Sequence, residues 1–170
     1  MIEDIFIRNI EEKDIEEVVD IQISGWKEAY RGIIDEEYLK NMNREERIKK
    51  RKKDYKENSF IVATYHNIIV GFCRYINNNK FSSNILNIDC ELLSIYVKPE
   101  FKFKGIGSKM FEFAINDLKK ESKQQMILWC LKDNIKSRKF YEKMGGEVIA
   151  KKEIKIGEKY YREVAYRFFI

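Results

Sequence analysis

The chain has 170 residues, 44% of them hydrophobic and 14% aromatic, which excludes a disordered polymer and suffices for one buried core, a single domain over residues 1–170. No uninterrupted apolar stretch approaches the roughly 18 residues of a membrane span, and the acidic start Met1-Ile2-Glu3-Asp4 is unlike a secretory leader, so a cytoplasmic protein with no membrane partner is expected. The 33 basic and 28 acidic residues leave a net charge of +5, which fits an anionic ligand or an ordinary mixed surface and decides little alone.

Ile5 and Ile7 alternate with polar residues as a first strand does. Asp14 then opens an amphipathic helix whose apolar stripe is Ile15, Val18, Val19, Ile23 and Trp26, and Gly32 ends it. Asp35 is placed to cap a second helical region from Glu36 to about Glu57, interrupted near Asn41-Met42-Asn43. Its basic run Lys49-Lys50-Arg51-Lys52-Lys53 is flanked by Glu45, Glu46, Asp54 and Glu57, so it reads as a solvated helix face and no nucleic-acid partner is expected.

Residues 60–65 and 68–75 are β-rich and separated by His66-Asn67, a tight-turn pair; they predict a hairpin with the lone histidine at its tip. A strand follows over about 88–97, stopped by Pro99. Gly105-Ile106-Gly107 opens a helix with Met110, Phe111, Ala114, Ile115 and Leu118 on one face, and residues 126–131 form a continuously apolar strand. Asn134 starts another helix that Gly145-Gly146 terminates, and strands at about 147–154 and 159–169 surround a turn at Gly157. Cys73, Cys90 and Cys130 fall in the apolar strands, with no C-x-x-C pair and one histidine in the chain, so reduced buried thiols are expected and no metal site. The β-α-α-β-β-β-α-β-α-β-β order is that of an α/β domain with a mixed sheet.

The segment Ile95-Tyr96-Val97-Lys98-Pro99-Glu100-Phe101-Lys102-Phe103-Lys104-Gly105-Ile106-Gly107-Ser108 is a strand, a basic glycine-containing loop and a helix N-terminus. Free N–H groups and the helix dipole make that arrangement suited to phosphate. It is neither the P-loop nor the dinucleotide fingerprint, whose third glycine would fall on Met110.

The same segment resembles the GNAT acetyltransferase signature (Q/R)-x-x-G-x-(G/A), with Lys102, Gly105 and Gly107 at its positions and Phe103 where relatives often carry glycine or a polar residue. Downstream, residues 128–146 resemble the family's strand followed by N-x-x-(A/S)-x-x-F-Y-x-x-x-G-F, except that Gly146 replaces the final phenylalanine. The resemblance implies a GNAT-type α/β fold: a central mixed, mostly antiparallel sheet, splayed between its middle strands, with helices on both faces. It implies acetyl-coenzyme A as co-substrate, its pyrophosphate at Lys102, Phe103, Lys104, Gly105, Ile106, Gly107 and Ser108 and its acetyl carbonyl polarised by the backbone at Ile95 and Val97. Asn134 and Ser137 fall at coenzyme-binding positions, Asn134 being equally a helix cap.

By the same resemblance Tyr141 protonates the departing thiolate, and its phenol, ordinarily titrating near pH 10, is a donor at neutral pH. Glu91 takes the amine proton, with Asp89 as substitute. Trp26, Glu28, Tyr30 and Asp89 lie at the acceptor, although Trp26 also continues the apolar stripe of the first helix. The implied partner is a small-molecule primary amine, and Trp26–Gly32 is similar to bacterial polyamine-type members; a homodimer is compatible with the family. Acetylation of a protein lysine or N-terminus is a second reading, and a silent coenzyme A sensor a third, against which retention of Tyr141 and the carboxylates weighs.

Overall fold

A computed structural model describes residues 4–170; Met1–Glu3, the start of the stretch read for a leader, lie outside the described residues. The elements are β1 (Ile5–Asn9), α1 (Ile15–Ala29), α2 (Glu36–Lys40), α3 (Arg44–Asp54), β2 (Ser59–Tyr65), β3 (Ile68–Ile76), β4 (Cys90–Val97), α4 (Ile106–Lys120), β5 (Gln125–Leu131), α5 (Ile135–Lys143), β6 (Glu147–Ile156) and β7 (Lys159–Phe169). The strands form one sheet in the order β1-β2-β3-β4-β5-β7-β6, antiparallel except where β4 meets β5.

Local chemistry sets the boundaries. His66 and Asn67 both take left-handed φ, 47° and 62°, the geometry a two-residue hairpin needs to follow the twist of its strands. The helical region after Asp35 breaks at 41–43 because Asn43 accepts the Glu46 N–H at 3.1 Å and caps α3 afresh. Asp35 makes no cap bond; its carboxylate takes Lys159 at 3.1 Å instead. Asp14 also differs from its expected role: it is buried and held by the Arg8 guanidinium at 2.6 and 3.0 Å, behind a short 3₁₀ turn that leads into α1.

The sheet separates two cores. Ile106, Met110, Phe111, Ala114 and Leu118 of α4, with Phe140, Tyr141 and Met144 around α5, pack on Cys73, Cys90, Leu92, Leu128 and Tyr166. On the opposite face α1 buries Val18 and Ile21 against Phe60, Val62, Ile69 and Phe72, and Val19 meets Ile48 of α3. The segment between β3 and β4 covers the rest of that face through Ile85 and Ile88, packed with Ile127 and Ala165. The three cysteines are buried and unpaired, and burial pushes each thiol up, Cys130 to about 12, which leaves no reactive thiolate.

Gly146 has a packing reason. A Cβ there would stand 2.7 Å from Cζ of Phe168, whose ring meets Phe111 at 5.0 Å. Phe168 of β7 thus fills the space beside the position where the resemblance expected a phenylalanine. The basic run of α3 is corrected at one residue: Lys49, Lys50, Lys52 and Lys53 are exposed, but Arg51 is turned inward and buried.

Candidate active site at the splayed strands

β4 and β5 share two ladder pairs, Cys90↔Met126 and Glu91↔Ile127. Beyond them β4 stays with β3 as far as Val97, and β5 stays with β7 as far as Leu131. The strands part after Glu91, so the inner edges of residues 92–97 and 128–131 face a gap. A register shift explains the bend: Arg74 pairs with Ser94 but Tyr75 pairs with Leu92, leaving Leu93 bulged, and a bulge turns a strand away from its neighbour.

At the far end of β4 the chain enters the glycine loop. Phe103 takes φ 61°, a conformation that glycine adopts without penalty, and its ring is fully exposed. Gly105 caps α4 at φ 84°. Lys109 N–H is bonded to Gly105 C=O at 3.0 Å, while helix geometry leaves the N–H groups of Ile106, Gly107 and Ser108 without acceptors in their own helix. A Cβ on Gly107 would lie 3.6 Å from the Phe140 ring, an ordinary contact, so packing does not demand glycine there. Lys104 sits over Phe101. Lys102 is held by Glu28 at 2.6 Å. Glu28 is therefore corrected: it points to the loop, not into the crevice lined by Trp26 and Tyr30. The amide-rich turn fits a phosphate-bearing co-substrate such as coenzyme A.

Tyr141 lies on the α5 side of the sheet, its ring 5.5 Å from Phe140 and 5.9 Å from Tyr166. Burial holds its phenol well above the ordinary value, with Cys130 and Tyr96 adding to the shift. Tyr30 is raised likewise, chiefly by burial, and then by Tyr96 and Tyr141. These phenols and the Cys130 thiol converge on the gap from both faces. Tyr96 was missed as a site residue. It alternates with Ile95 and Val97 and so faces α1, where its ring meets Phe72 at 5.4 Å and lies against Gly25, and its hydroxyl interacts with Tyr30 and the Trp26 indole. That alternation, with Gly25 inside a helical stripe, was the available signal. Trp26 meets Tyr30 edge-on at 5.1 Å.

Glu91 stands at the apex of the splay. Its strand neighbours Cys90 and Leu92 belong to the α4 core, so its side chain emerges on the other face, opposite to Tyr141. It is 2% exposed, and neither carboxylate oxygen has a hydrogen-bond partner among the described residues. Burial raises its pKa; the Ser82 hydroxyl, the Phe81 N–H and Lys152 oppose that from nearby without forming a well-aligned bond. Asp89 is engaged elsewhere: its two oxygens accept the Gln124 and Gln125 N–H groups at 3.0 and 3.1 Å, fastening the start of β5, which weighs against it as the substitute for Glu91 or as an acceptor contact. Asn134 is buried and caps α5 by accepting the Ser137 N–H at 3.2 Å, the capping role its sequence position offered. Among the described residues no group of three or more His, Cys, Asp or Glu could hold a metal ion, and no helix is long and apolar enough to cross a membrane.

A family model described as "Acetyltransferase (GNAT) family" matches residues 23–146. The chain belongs to the GNAT family. GNAT relatives cover most of it. A spermidine N(1)-acetyltransferase of Thermoplasma acidophilum is 28% identical over 149 residues, 84% of this chain and 88% of the relative. The PaiA N-acetyltransferase of Thermoplasma acidophilum, solved in complex with coenzyme A, superposes with a TM-score of 0.71 at 26% identity over 94% of this chain and 97% of that one. PH1933 of Pyrococcus horikoshii does so with a TM-score of 0.72 at 25% identity, covering 98% of each chain. The GNAT fold expected from the two sequence motifs is the fold observed, and acetyl-coenzyme A-dependent acyl transfer is the enzyme class.

Proposed function

We propose that this chain is one N-acetyltransferase domain that moves the acetyl group of acetyl-coenzyme A directly onto a primary amine of a small molecule. The observation that carries the reading is the meeting, at one opening in the sheet, of strands that part after Glu91, amides at Ile106–Ser108 without acceptors in their own helix and the phenol of Tyr141. The 28% identical spermidine N(1)-acetyltransferase supports a small amine as acceptor and makes polyamines the first compounds to try.

Transfer forms a bond from the amine nitrogen to the acetyl carbon and breaks the bond from that carbon to sulfur. Glu91, made more basic by burial, accepts the amine proton on one face of the sheet, directly or through water. Tyr141, kept protonated by its surroundings, donates to the departing sulfur on the other face. Main-chain atoms of Ile95 and Val97, at the edge of the gap, orient and polarise the acetyl carbonyl. The amides of Lys102–Ser108 bind the pyrophosphate.

The test is release of free thiol from acetyl-coenzyme A across polyamines, amino sugars, amino acids and peptides, beside calorimetric binding of coenzyme A to Gly107→Glu. Turnover with a small amine is expected, and loss of coenzyme A affinity in the folded variant, which carries a carboxylate in the phosphate site. Coenzyme A binding without any thiol release would instead mark a sensor, and unchanged affinity of the variant would remove the phosphate placement.

A further inference from the structure

α3 presents arginines to the sheet. Arg51 is 6% exposed and meets Arg74 of β3 with one carboxylate between them: Asp54 lies 3.1 Å from Arg51 Nη1 and 3.6 Å from Arg74 Nη2. Arg47, one turn before Arg51, has its guanidinium over Trp26, 5.1 Å from the ring centre, and has no ion pair among the described residues. Two guanidiniums thus share one carboxylate, with a third, Arg47, one helical turn away. The donors are also unmet: Arg51 Nε and Nη1, Arg74 Nε and Ser94 Oγ have no hydrogen-bond partner among the described residues. Burying guanidinium donors without acceptors is strongly unfavourable, and an oxyanion seated among them would meet donors that Asp54, whose Oδ1 is itself unmet, leaves without acceptors. Burial draws both arginines down, Arg74 to about 10, still cationic at neutral pH, and Arg51 in the same direction.

The location links this patch to the acceptor. Arg74 pairs across the ladder with Ser94, and Phe72 with Tyr96, so Ser94 and Tyr96 share the face that carries α1 and α3, two residues or about 7 Å apart along β4. Both lie on the part of β4 that has left β5. Arg47 is near enough to Tyr96 to lower its pKa. The cationic patch is therefore continuous with the crevice of Trp26, Tyr30 and Tyr96.

We propose that Arg47, Arg51, Arg74 and Ser94 form an oxyanion subsite of the acceptor pocket, so that the amine acetylated here also carries a carboxylate or phosphoryl group. This rests on the acetyl-transfer reading and narrows its substrate. Guanidinium groups pair with such oxyanions in a two-pronged geometry, and the same three charges repel a polycation such as spermidine.

The experiment measures kcat/KM by thiol release with matched acceptors: 4-aminobutyrate against butylamine, phosphoethanolamine against ethanolamine, and spermidine. The anionic member of at least one pair should be preferred roughly 10–100-fold, the gain from charge-assisted hydrogen bonds, and which pair responds separates carboxylate from phosphoryl. Arg47→Gln, at the partly exposed mouth, and Arg74→Gln should shrink that preference while leaving the KM for acetyl-coenzyme A unchanged. Butylamine, ethanolamine or spermidine turning over as well as the anionic amines would overturn the subsite and spare the acetyltransferase reading. So would Arg47→Gln, folded by circular dichroism, keeping the full preference. Absence of turnover with all five amines would count against both.

Discussion

Replacing Tyr141 with phenylalanine removes one oxygen and leaves the ring against Phe140 and Tyr166. Among the described residues this phenol has burial and neighbouring thiols and phenols around it but no hydrogen-bond partner, so the variant should lose less than about 1 kcal/mol of stability. Its catalytic consequence is different in size. A positioned general acid is worth about 10²-fold or more, and 10²-fold corresponds to about 2.7 kcal/mol of barrier. The KM for acetyl-coenzyme A should hardly move, since the phosphate amides are elsewhere. Because burial raises this phenol well above its ordinary value near 10, the wild-type rate should show no loss from tyrosine ionisation below about pH 10. Single-turnover thiol release, with thermal melting as the control, separates the two effects. A Tyr141→Phe enzyme that matches wild type in a chemistry-limited step would reduce Tyr141 to a packing residue.

Glu91→Gln should abolish the low-pH limb of the rate profile, which in wild type lies above the ordinary carboxylate range because burial raises this group. With its folded pKa above the unfolded one, Glu91 favours the fold at acid pH and loses that contribution as pH rises through the folded value; the melting temperature of Glu91→Gln relative to wild type should therefore climb from pH 4 to pH 8, and a flat difference would contradict the burial. Asp89→Ala should cost about 1–3 kcal/mol through the two amides it releases while keeping the pH profile, and loss of the low-pH limb here instead would transfer the base to Asp89. Gly25→Ala places a Cβ 2.6 Å from Tyr96 Cδ1, and overpacking of about 1–3 kcal/mol outweighs the roughly 1 kcal/mol an alanine adds to a helix. Its acceptor kcat/KM should fall with acetyl-coenzyme A KM unchanged; a more stable variant with wild-type kinetics would show that the Tyr96 ring yields freely.

Periodicity and turn chemistry were enough to read the strands and helices, because His66-Asn67, Gly32, Pro99 and Gly145-Gly146 act within a few residues of where they stand. The glycine loop and Tyr141 were legible for the same reason, each lying inside a contiguous motif. What a residue faces across the sheet is not written locally. Asp89 and Glu91 look alike in sequence, yet one meets two amides of β5 and the other meets none. Arg51 looks like its lysine neighbours, and only its i+3 relation to buried Ile48 and i+4 relation to Arg47 hinted that it turns inward. The absent family phenylalanine at 146 was compensated from β7, 22 residues later, by Phe168.

Among the described residues the ladder joining the β1–β4 half of the sheet to the β5–β7 half has two pairs, with the Asp89 bonds to Gln124 and Gln125 beside them at its closed end. Rotation about Cys90 and Glu91 can therefore change the width of the gap without breaking another rung. Amide hydrogens on the inner edges of residues 92–97 and 128–131 should exchange with solvent deuterium far sooner than those on the same strands' outer edges. A ligand seated in the gap slows that exchange on both halves together, so the molecule reports occupancy of its cleft through the protection of strands on either side of one seam.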